Sequence, residues 1–291
     1  MDYPKISIVT PSYNLALYLE QTILSIVQQE YPNLEYIIID GGSTDGSVEI
    51  IKKYEQYLSY WVSEPDNGLY YALQKGFEQA TGDIMGWLNA DDLLHPKALF
   101  TLGSIFRDIS EVQWLQGYPT VFDKAGRVVS HRPPQSSKYS FYLKQYHNGK
   151  FIQQESTYWR RSLWEKTGEF VSSEYKLAGD FELWMRFFQH EVLYNTSALI
   201  GGFRVRVGEQ LSQKNHEAYL EECDRIVDSW LTKLDKTDNK IIAYAHRANK
   251  LGWIPKKSLL LPWYRQYLQV RDYVPSLAYD HRQERFFLVE H

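Results

Sequence analysis

The stretch "DIMGWLNADDL", from Asp83 to Leu93, decides the fold, because an apolar segment ends there in a cluster of polar side chains. Asp91 and Asp92 are adjacent carboxylates, and Asn89 lies two residues before them. Neighbouring carboxylates repel each other and are rarely buried unless they are paired or bound to a cation. The stretch therefore predicts a buried strand whose end either lies in a solvated turn or holds something positively charged.

Upstream of this strand, strand and helix patterns alternate. The segments "KISIVT" (Lys5 to Thr10), "EYIIID" (Glu35 to Asp40) and "YWVSE" (Tyr60 to Glu64) predict three further strands. Apolar residues at helical spacing lie between them, and Asn14 can cap the first helix. Strands that alternate with helices predict an α/β fold with a mostly parallel sheet flanked by helices on both faces.

Polar residues follow each of the four predicted strands. In open α/β sheets, ligands bind beyond the carboxyl ends of the strands. We therefore expect a ligand site at one edge of the sheet, formed by residues 11–14, 40–45, 64–67 and 89–92.

The pattern is looser from residue 100 to 215. His131 to Lys150 is polar, aromatic and broken by prolines, and we interpret it as a long loop over one side of the site. Trp159 and Trp164 lie in a segment that looks partly helical, so they either stack on a sugar or pack in the core. An amphipathic helix follows Ser212. We place a boundary near 215, with a catalytic domain over 1–215 and a mostly helical extension over 216–291.

Composition narrows the class of protein. The net charge of −4 over 291 residues argues against a general nucleic-acid binder. Cys223 is the single cysteine, which excludes an intrachain disulfide framework and fits a reducing compartment. Neither a signal peptide nor a run of about 18 apolar residues is recognisable, so we expect a cytoplasmic protein. Residues 246–274 mix basic and aromatic side chains and either contact an anionic membrane surface or pack back on the protein.

The glycine-bearing segment from Gly41 to Gly46 invites comparison with phosphate loops. It lacks the middle glycine of the dinucleotide fingerprint and the Lys-Ser/Thr of a nucleoside triphosphate loop. A diphosphate bridged by a cation fits better, because Asp91 and Asp92 supply hard oxygen ligands for Mg²⁺ or Mn²⁺. For Asp45 and Asp66, taken singly, a helix cap or a turn is the main alternative.

Several motifs then carry a family resemblance. They occur in order as "PSYN" at 11–14, "IIDGGSTDGS" at 38–47, "SEPDNGLYYALQKGFEQATGDIMGWLNADD" at 63–92 and "QQESTYWRRSLWEKTGEF" at 153–170. Over residues 4 to 212 the chain resembles family 2 glycosyltransferases. The resemblance implies a GT-A (Rossmann-like) fold and inverting transfer from a nucleotide sugar, with a UDP-sugar favoured. The implied acceptor is a glycan or lipid-linked sugar in polysaccharide biosynthesis.

The resemblance also implies roles for individual residues. The residues implied in nucleotide binding are Pro11, Tyr13, Asp40, Asp66, Asn89 and Asp91. Asp91, the first choice, and Asp92 would hold a divalent cation, Mn²⁺ or Mg²⁺. Asn89 stands where many relatives have an acid, which removes one negative charge and predicts weaker metal binding.

The implied catalytic base is Asp180, in the segment "AGDFELWMR". Its alternative role is to cap the helix that follows, and the two roles can coexist. Gln154 and Glu155 fall on the acceptor side. Arg204 would meet the diphosphate, although Arg206 or an ordinary salt bridge are alternatives.

Two other functions remain open at this point. A sugar-nucleotide pyrophosphorylase also places acids at the ends of a parallel sheet, but usually has a glycine-rich loop with basic residues near its N-terminus. A non-catalytic nucleotide-sugar or carbohydrate-binding protein is the second, and Asn89 is the residue that favours it.

Overall fold

The computed structural model describes residues 3–131, 133, 136–206, 215–250, 262 and 274–289. Its first hundred residues alternate strand and helix, which confirms the predicted pattern. The elements there are β1 (Ile6–Ser12), α1 (Ala16–Val27), β2 (Leu34–Asp40), α2 (Ser47–Lys53), β3 (Tyr60–Ser63), α3 (Leu69–Gln79), β4 (Ile84–Trp87) and β5 (Leu93–Leu94).

The later elements are shorter and more varied. They are α4 (Ala98–Asp108), β6 (Trp114–Gln116), β7 (Thr120–Phe122), β8 (Val128–His131), α5 (Lys138–Tyr142), β9 (Thr157–Arg160), α6 (Arg161–Lys166), α7 (Gly179–Phe187), β10 (Tyr194–Thr196), β11 (Gly201–Arg204), α8 (His216–Leu231), α9 (Lys236–Lys250), β12 (Ser276–Asp280) and β13 (Arg285–Leu288).

The main sheet of the described residues has nine strands in the order β13-β12-β10-β6-β9-β4-β1-β2-β3. Strands β1 to β4 pair in parallel, as do β6, β10 and β12. Strand β9 runs antiparallel to β4 and β6, and β13 runs antiparallel to β12. The fold is thus a mixed, mostly parallel sheet with flanking helices, as predicted.

Alternate residues of the strands enter two hydrophobic clusters, one on each face of the main sheet. Val9, Ile37 and Met85 belong to one cluster, whereas Ile8, Ile38 and Ile84 belong to the other. This division follows from the two-residue period of a strand. It also explains the continuous apolar runs in the sequence, since a strand covered on both faces needs apolar residues at every position.

A second sheet of the described residues has the order β5-β11-β7-β8. Strand β5 begins directly after Asp92 and pairs antiparallel with β11, with Gly201 opposite Leu94. Because of this pairing, the end of β11 lies against the acidic turn that follows β4.

The prediction of one long loop over 131–150 was wrong. Helix α5 begins after Ser137, whose side chain caps it, and a 3-10 helix covers Gln145–Asn148. Phe141 and Tyr146 are buried in the same cluster as Trp159. The prolines that suggested a loop therefore only precede a short aromatic helix that packs inward.

Two further sequence interpretations need correction. Trp159 lies in β9 rather than in a helix, and both Trp159 and Trp164 are buried in the core, which leaves no ring face for a sugar. Asn14 does not cap α1, since Leu15 is the N-cap residue.

The described residues after 215 join the rest of the molecule closely. Cys223 and Ile226 of α8 and Ile241 of α9 belong to the cluster that contains Trp159 and Phe181. Strands β12 and β13, which the helical interpretation missed, extend the main sheet. The predicted division at 215 stays a prediction, but the core and the sheet are continuous across it. Most of the segment 246–274 lies outside the described residues, so its membrane contact also stays a prediction.

No helix among the described residues is long and apolar enough to cross a membrane.

Candidate active site

The site forms at the edge where β1, β2, β3 and β4 end. Strand β9 adds to this edge from the opposite direction, because its antiparallel pairing with β4 sets its first residue beside the end of β4. A 3-10 helix, Gln154–Ser156, therefore meets the turn that carries Asn89. Gln154 links the two directly, since its Nε2 donates to the Trp87 carbonyl oxygen at 2.5 Å and its Oε1 accepts from Asn89 Nδ2 at 3.2 Å.

The loops after β1 and β2 lock together. Asn14 adopts a left-handed backbone with φ 50°, its N–H donates to Ser43 Oγ at 2.8 Å, and its Oδ1 accepts from the Thr44 N–H at 3.0 Å. Asp45 serves two helices: one carboxylate oxygen accepts from the Ala16 N–H of α1 at 2.9 Å and the other from the Ser47 N–H of α2 at 3.1 Å. The capping alternative for Asp45 is thus the arrangement found.

Asp40 organises the same loop from inside. It is fully buried, and its carboxylate accepts hydrogen bonds from the N–H groups of Gly42 and Ser43 and from the hydroxyls of Ser43 and Ser63, at 2.6–3.1 Å. Its oxygens are therefore engaged within the protein, and a nucleotide contact by Asp40 stays a prediction.

Tyr13, Gly41 and Asp66 form a shallow surface at the edge, and Pro11 lies buried at the end of β1 behind it. A Cβ on Gly41 would lie 3.2 Å from an Asp66 oxygen and 3.3 Å from the Tyr13 ring, so glycine lets both side chains approach. The Tyr13 ring is 63% exposed. Asp66 is partly exposed and accepts the Gly68 N–H at 2.8 Å. An exposed aromatic face beside a carboxylate acceptor suits a planar base.

The turn that carries the two adjacent acids is buried. Asp91 is 6% exposed and Asp92 is 1% exposed. Both oxygens of Asp92 are engaged, since Oδ1 accepts from the Arg204 N–H at 2.8 Å and Oδ2 from Asn89 Nδ2 at 3.1 Å. Burial, together with the charges of Asp91 and Glu155, raises the pKa of Asp92 well above its usual range. This arrangement favours Asp91 over Asp92 as the acid that faces a ligand.

The two arginines at the end of β11 have different roles. Arg204 is fully buried, and its guanidinium donates to the carbonyl oxygens of Asp91 at 2.6 Å and Lys124 at 2.9 Å and to Gln21 Oε1 at 3.0 Å. This placement argues against the prediction that Arg204 meets a diphosphate, because protein acceptors take up its guanidinium. Arg206 instead forms an ion pair with Asp91, with Nε 2.7 Å from Oδ2.

Glu155 follows Gln154 in the 3-10 helix that meets the acidic turn. It is 3% exposed, and its carboxylate accepts from Gln153 Nε2. Burial is the main cause that raises the pKa of Glu155 to about 7, and the charges of Asp91 and Asp180 contribute to the rise.

Asp180 is the second residue of α7 and lies in its first turn, and part of its surface is exposed. The Tyr70 hydroxyl lies 3.3 Å from Asp180 Oδ1 and 2.7 Å from the Leu177 carbonyl oxygen. Burial raises the pKa of Asp180 to about 6. A carboxyl with that pKa is mostly ionised at neutral pH and is a stronger base than an ordinary aspartate. Glu182, in contrast, pairs with Arg186 at 2.9 Å.

The oxygen atoms of the acidic turn fit a divalent cation that takes its remaining ligands from a diphosphate and from water. Asn89 Oδ1 is a buried oxygen without a hydrogen-bond partner, and Asp91 supplies a carboxylate on the same turn. Within the described ranges, no three or more His, Cys, Asp and Glu side chains are grouped to hold a metal by themselves. Magnesium sites for phosphorylated substrates commonly use one or two carboxylates and complete their shell with phosphate oxygens and water.

Sequence reasoning ranked Arg206 below Arg204 and did not single out Tyr70 or Glu222. The arginines occupy alternate positions, so the ranking depends on where β11 ends against the acidic turn. Glu222 carried a usable signal, because it is an acid within the apolar stripe of an amphipathic helix, beside Cys223.

The sequence is similar to those of known glycosyltransferases. The sequence model described as "Glycosyl transferase family 2" matches residues 7–167. An uncharacterized glycosyltransferase of Rickettsia typhi is 28% identical over 246 residues, which is 81% of this chain and 74% of that protein. Two other bacterial glycosyltransferases are matched over 39% and 34% of their own lengths, so the chain corresponds to less than half of each.

Solved structures share the fold. S. aureus TarS in complex with UDP-GlcNAc superposes with a TM-score of 0.65 at 17% identity, covering 91% of this chain and 79% of TarS. Glucosyl-3-phosphoglycerate synthase from Mycobacterium tuberculosis, in complex with Mn²⁺, UDP and phosphoglyceric acid, gives a TM-score of 0.54 at 18% identity, covering 78% of each chain. The fold of the chain is therefore the GT-A fold.

Proposed function

We propose that this chain, which belongs to glycosyl transferase family 2, is an inverting glycosyltransferase whose donor is a nucleoside diphosphate sugar. The proposed acceptor is a hydroxyl of a glycan or of a lipid-linked sugar in polysaccharide biosynthesis. A UDP-sugar is the favoured donor, since TarS binds UDP-GlcNAc and the mycobacterial synthase binds UDP. Family membership favours transfer over a pyrophosphorylase or a non-catalytic binding role.

The donor is proposed to lie along the edge from Tyr13 to Asp91. The base would stack on the exposed Tyr13 ring beside Asp66, and the diphosphate would extend toward the acidic turn. Asp91 and Asn89 Oδ1 would hold Mn²⁺ or Mg²⁺, which supplies positive charge for the departing diphosphate when it is bound. Arg206 would add charge-assisted hydrogen bonds to the phosphate oxygens.

Asp180 is proposed as the base. Inversion requires the acceptor hydroxyl to attack the anomeric carbon from the side opposite the diphosphate while a base removes its proton. At neutral pH the Asp180 carboxylate is mostly ionised, and the Tyr70 hydroxyl 3.3 Å away helps to orient it. Gln154 and Glu155, in the 3-10 helix that meets the acidic turn, would orient the reacting sugars.

The observation that carries the proposal is the set of oxygen atoms on the acidic turn at the carboxyl edge of the sheet. Asn89 Oδ1 is a buried oxygen without a hydrogen-bond partner, and Asp91 supplies a carboxylate on the same turn. These oxygens suit a cation that binds a diphosphate. The raised pKa of Glu155, to which the charges of Asp91 and Asp180 both contribute, supports placing the base near this turn.

The test is turnover of a panel of UDP-, GDP- and dTDP-sugars, measured as release of the nucleoside diphosphate with and without saccharide acceptors. We expect one nucleotide class to be turned over, and Asp180→Asn to bind that nucleotide normally while losing turnover. Glu165→Gln, an exposed acid of α6, is the matched control. Wild-type turnover by Asp180→Asn would assign the base elsewhere, and no turnover of any donor by the wild type would contradict the proposal.

A further inference from the structure

The loop that precedes Asp180 is held by a carboxylate from the C-terminal part of the chain. Glu222 of α8 accepts three backbone hydrogen bonds, from the N–H groups of Lys176 at 3.1 Å, Leu177 at 2.9 Å and Ala178 at 2.9 Å. Glu222 is 8% exposed. Buried backbone N–H groups need partners, and a charged acceptor gives the stronger kind of hydrogen bond.

The same loop is held from its other side. The Tyr70 hydroxyl of α3 donates to the Leu177 carbonyl oxygen at 2.7 Å. Glu222 therefore accepts hydrogen bonds from N–H groups of the segment, whereas Tyr70 donates one to a carbonyl oxygen of the same segment. Gly179 follows, where a Cβ would lie 2.9 Å from the Tyr70 ring. The backbone that leads into Asp180 is thus fixed between α3 and α8.

Helix α8, which carries this carboxylate, packs against the core. Cys223 and Ile226, on the same face, are buried in the cluster that also contains Phe181 of α7. Glu222 is therefore delivered by a packed helix rather than by a mobile loop. This is an unusual position for an acid, since a buried carboxylate is costly without partners.

From these contacts we propose that Glu222 is a positioning residue for the base Asp180: it fixes the 176–178 backbone and so sets where the Asp180 carboxylate lies. The proposal rests on the proposed function, because it assumes that Asp180 is the base. It extends the catalytic machinery into a helix that lies beyond the matched family region of 7–167.

Electrostatics supply a readout that does not depend on the unknown acceptor. Burial is the main cause of the raised pKa of Asp180, and the Glu222 charge raises it further. The other titratable groups that face Asp180 are Tyr70 of α3, Tyr219 and Cys223 of α8 and Glu155 before β9. Removal of the Glu222 charge should therefore lower the pKa of Asp180.

The experiment compares Glu222→Gln with Glu221→Gln, which removes the same charge from an exposed neighbour on α8. Amide hydrogen exchange at Lys176 to Ala178 should be at least about tenfold faster in Glu222→Gln, the factor expected for loss of a hydrogen bond to a charged acceptor. The carboxyl ¹³C titration of Asp180, assigned by its loss in Asp180→Asn, should move to lower pH. Neither change is expected in Glu221→Gln.

If Glu222→Gln matches Glu221→Gln in exchange or in the Asp180 titration, the proposal is overturned. If Glu222→Gln does not fold, Glu222→Asp replaces it, because its carboxylate is one methylene shorter. This variant keeps the charge, so faster exchange at 176–178 is its readout, and wild-type exchange there would overturn the proposal. In the wild type alone, exchange at 176–178 as fast as at the exposed Ser173 amide would also overturn the proposal.

Donor turnover separates this proposal from the proposed function. Loss of turnover in Asp180→Asn with normal turnover in Glu222→Gln would contradict positioning by Glu222 but leave the base in place. Normal turnover in both variants would contradict the assignment of the base itself.

Discussion

Arg206 places a positive charge beside the carboxylate that we propose as the cation ligand, with Nε 2.7 Å from Asp91 Oδ2. The Arg206 guanidinium and the divalent cation would compete for the Asp91 carboxylate until the phosphate oxygens of a diphosphate accept hydrogen bonds from Arg206. Burial raises the pKa of Asp91, and the Arg206 charge opposes that rise. The pair therefore gives a buried carboxylate a positively charged partner in the absence of any ligand.

Arg206→Gln should change the affinities for metal and nucleotide in opposite directions. In the absence of nucleotide, removing the guanidinium should tighten Mn²⁺ binding by about tenfold, since a positive charge beside the Asp91 carboxylate is lost. UDP binding should weaken by about tenfold, since charge-assisted hydrogen bonds to phosphate are lost. Titration calorimetry measures both, and Arg282→Gln, an exposed arginine in the turn between β12 and β13, is the control. Unchanged Mn²⁺ affinity in Arg206→Gln would contradict the competition.

Asp180→Asn should stabilise the fold at alkaline pH. The folded pKa of about 6 lies above the ordinary value of 3.8, so the folded state binds the proton more tightly than the unfolded state. Stability is therefore lost as pH rises from about 4 to about 6, and the loss is complete above that window. Asparagine removes this penalty, and we expect a gain of up to about 3 kcal/mol at pH 8 and little change at pH 3.

Urea unfolding at the two pH values checks this expectation. A loss of stability at pH 8 in Asp180→Asn would show that Asp180 mainly caps α7, as its alternative role supposes.

Single residues of the site were predictable from the sequence to different degrees. The preference for Asp91 over Asp92 as the metal ligand stays a prediction, and the structure shows that both oxygens of Asp92 accept hydrogen bonds within the protein. The order of Arg204 and Arg206 could not be read from the sequence, because it depends on how β11 pairs with β5. Glu222 was missed, since its partners are backbone groups more than forty residues away.

At the scale of elements, the Arg204 side chain connects three segments that lie far apart in the sequence. Its side chain reaches the acidic turn after β4, Lys124 in the turn before β8 and Gln21 on α1. Its backbone N–H donates to Asp92. A single buried guanidinium thus fixes the acidic turn against the end of β11.

Arg204→Lys separates a structural role from the predicted contact with the diphosphate. An ammonium group cannot reproduce the planar fork of donors, so we expect a loss of about 2–4 kcal/mol in the free energy of unfolding. Denaturant unfolding of this variant is compared with Arg282→Lys. Unchanged stability with weakened UDP binding would instead support the phosphate contact.

The elements themselves were predicted best where local pattern suffices. Strands β1 to β4 and their helices follow from apolar periodicity and from the polar residues at each strand end. Helix α5 and strand β9 were misread, because their aromatic residues fit several local structures and tertiary packing selects one. The hairpin β12–β13 depends on pairing with β10, which no local signal near 276 encodes.

At the scale of the whole molecule, the mostly parallel sheet and its ligand edge were predictable because strand and helix patterns alternate. The GT-A fold was predictable from the resemblance of the motifs to family 2 glycosyltransferases. The close integration of the C-terminal helices was not. Their apolar stripe predicts that they pack on something, but the sequence does not say that α8 reaches the loop before Asp180. The loop before the proposed base is thus held by the part of the chain that looked like an appendage.

The central claim is that the edge from Tyr13 to Asp91 binds a nucleoside diphosphate with a divalent cation. The most direct measurement is calorimetric titration of UDP, GDP and dTDP into the wild type and into Asp91→Asn, each with and without Mn²⁺. We predict that one nucleotide, UDP first, binds the wild type in the presence of Mn²⁺ and that Asp91→Asn folds but loses the metal-dependent part. Binding of none of the three to folded wild type, or equal metal-dependent binding in Asp91→Asn, would contradict the claim.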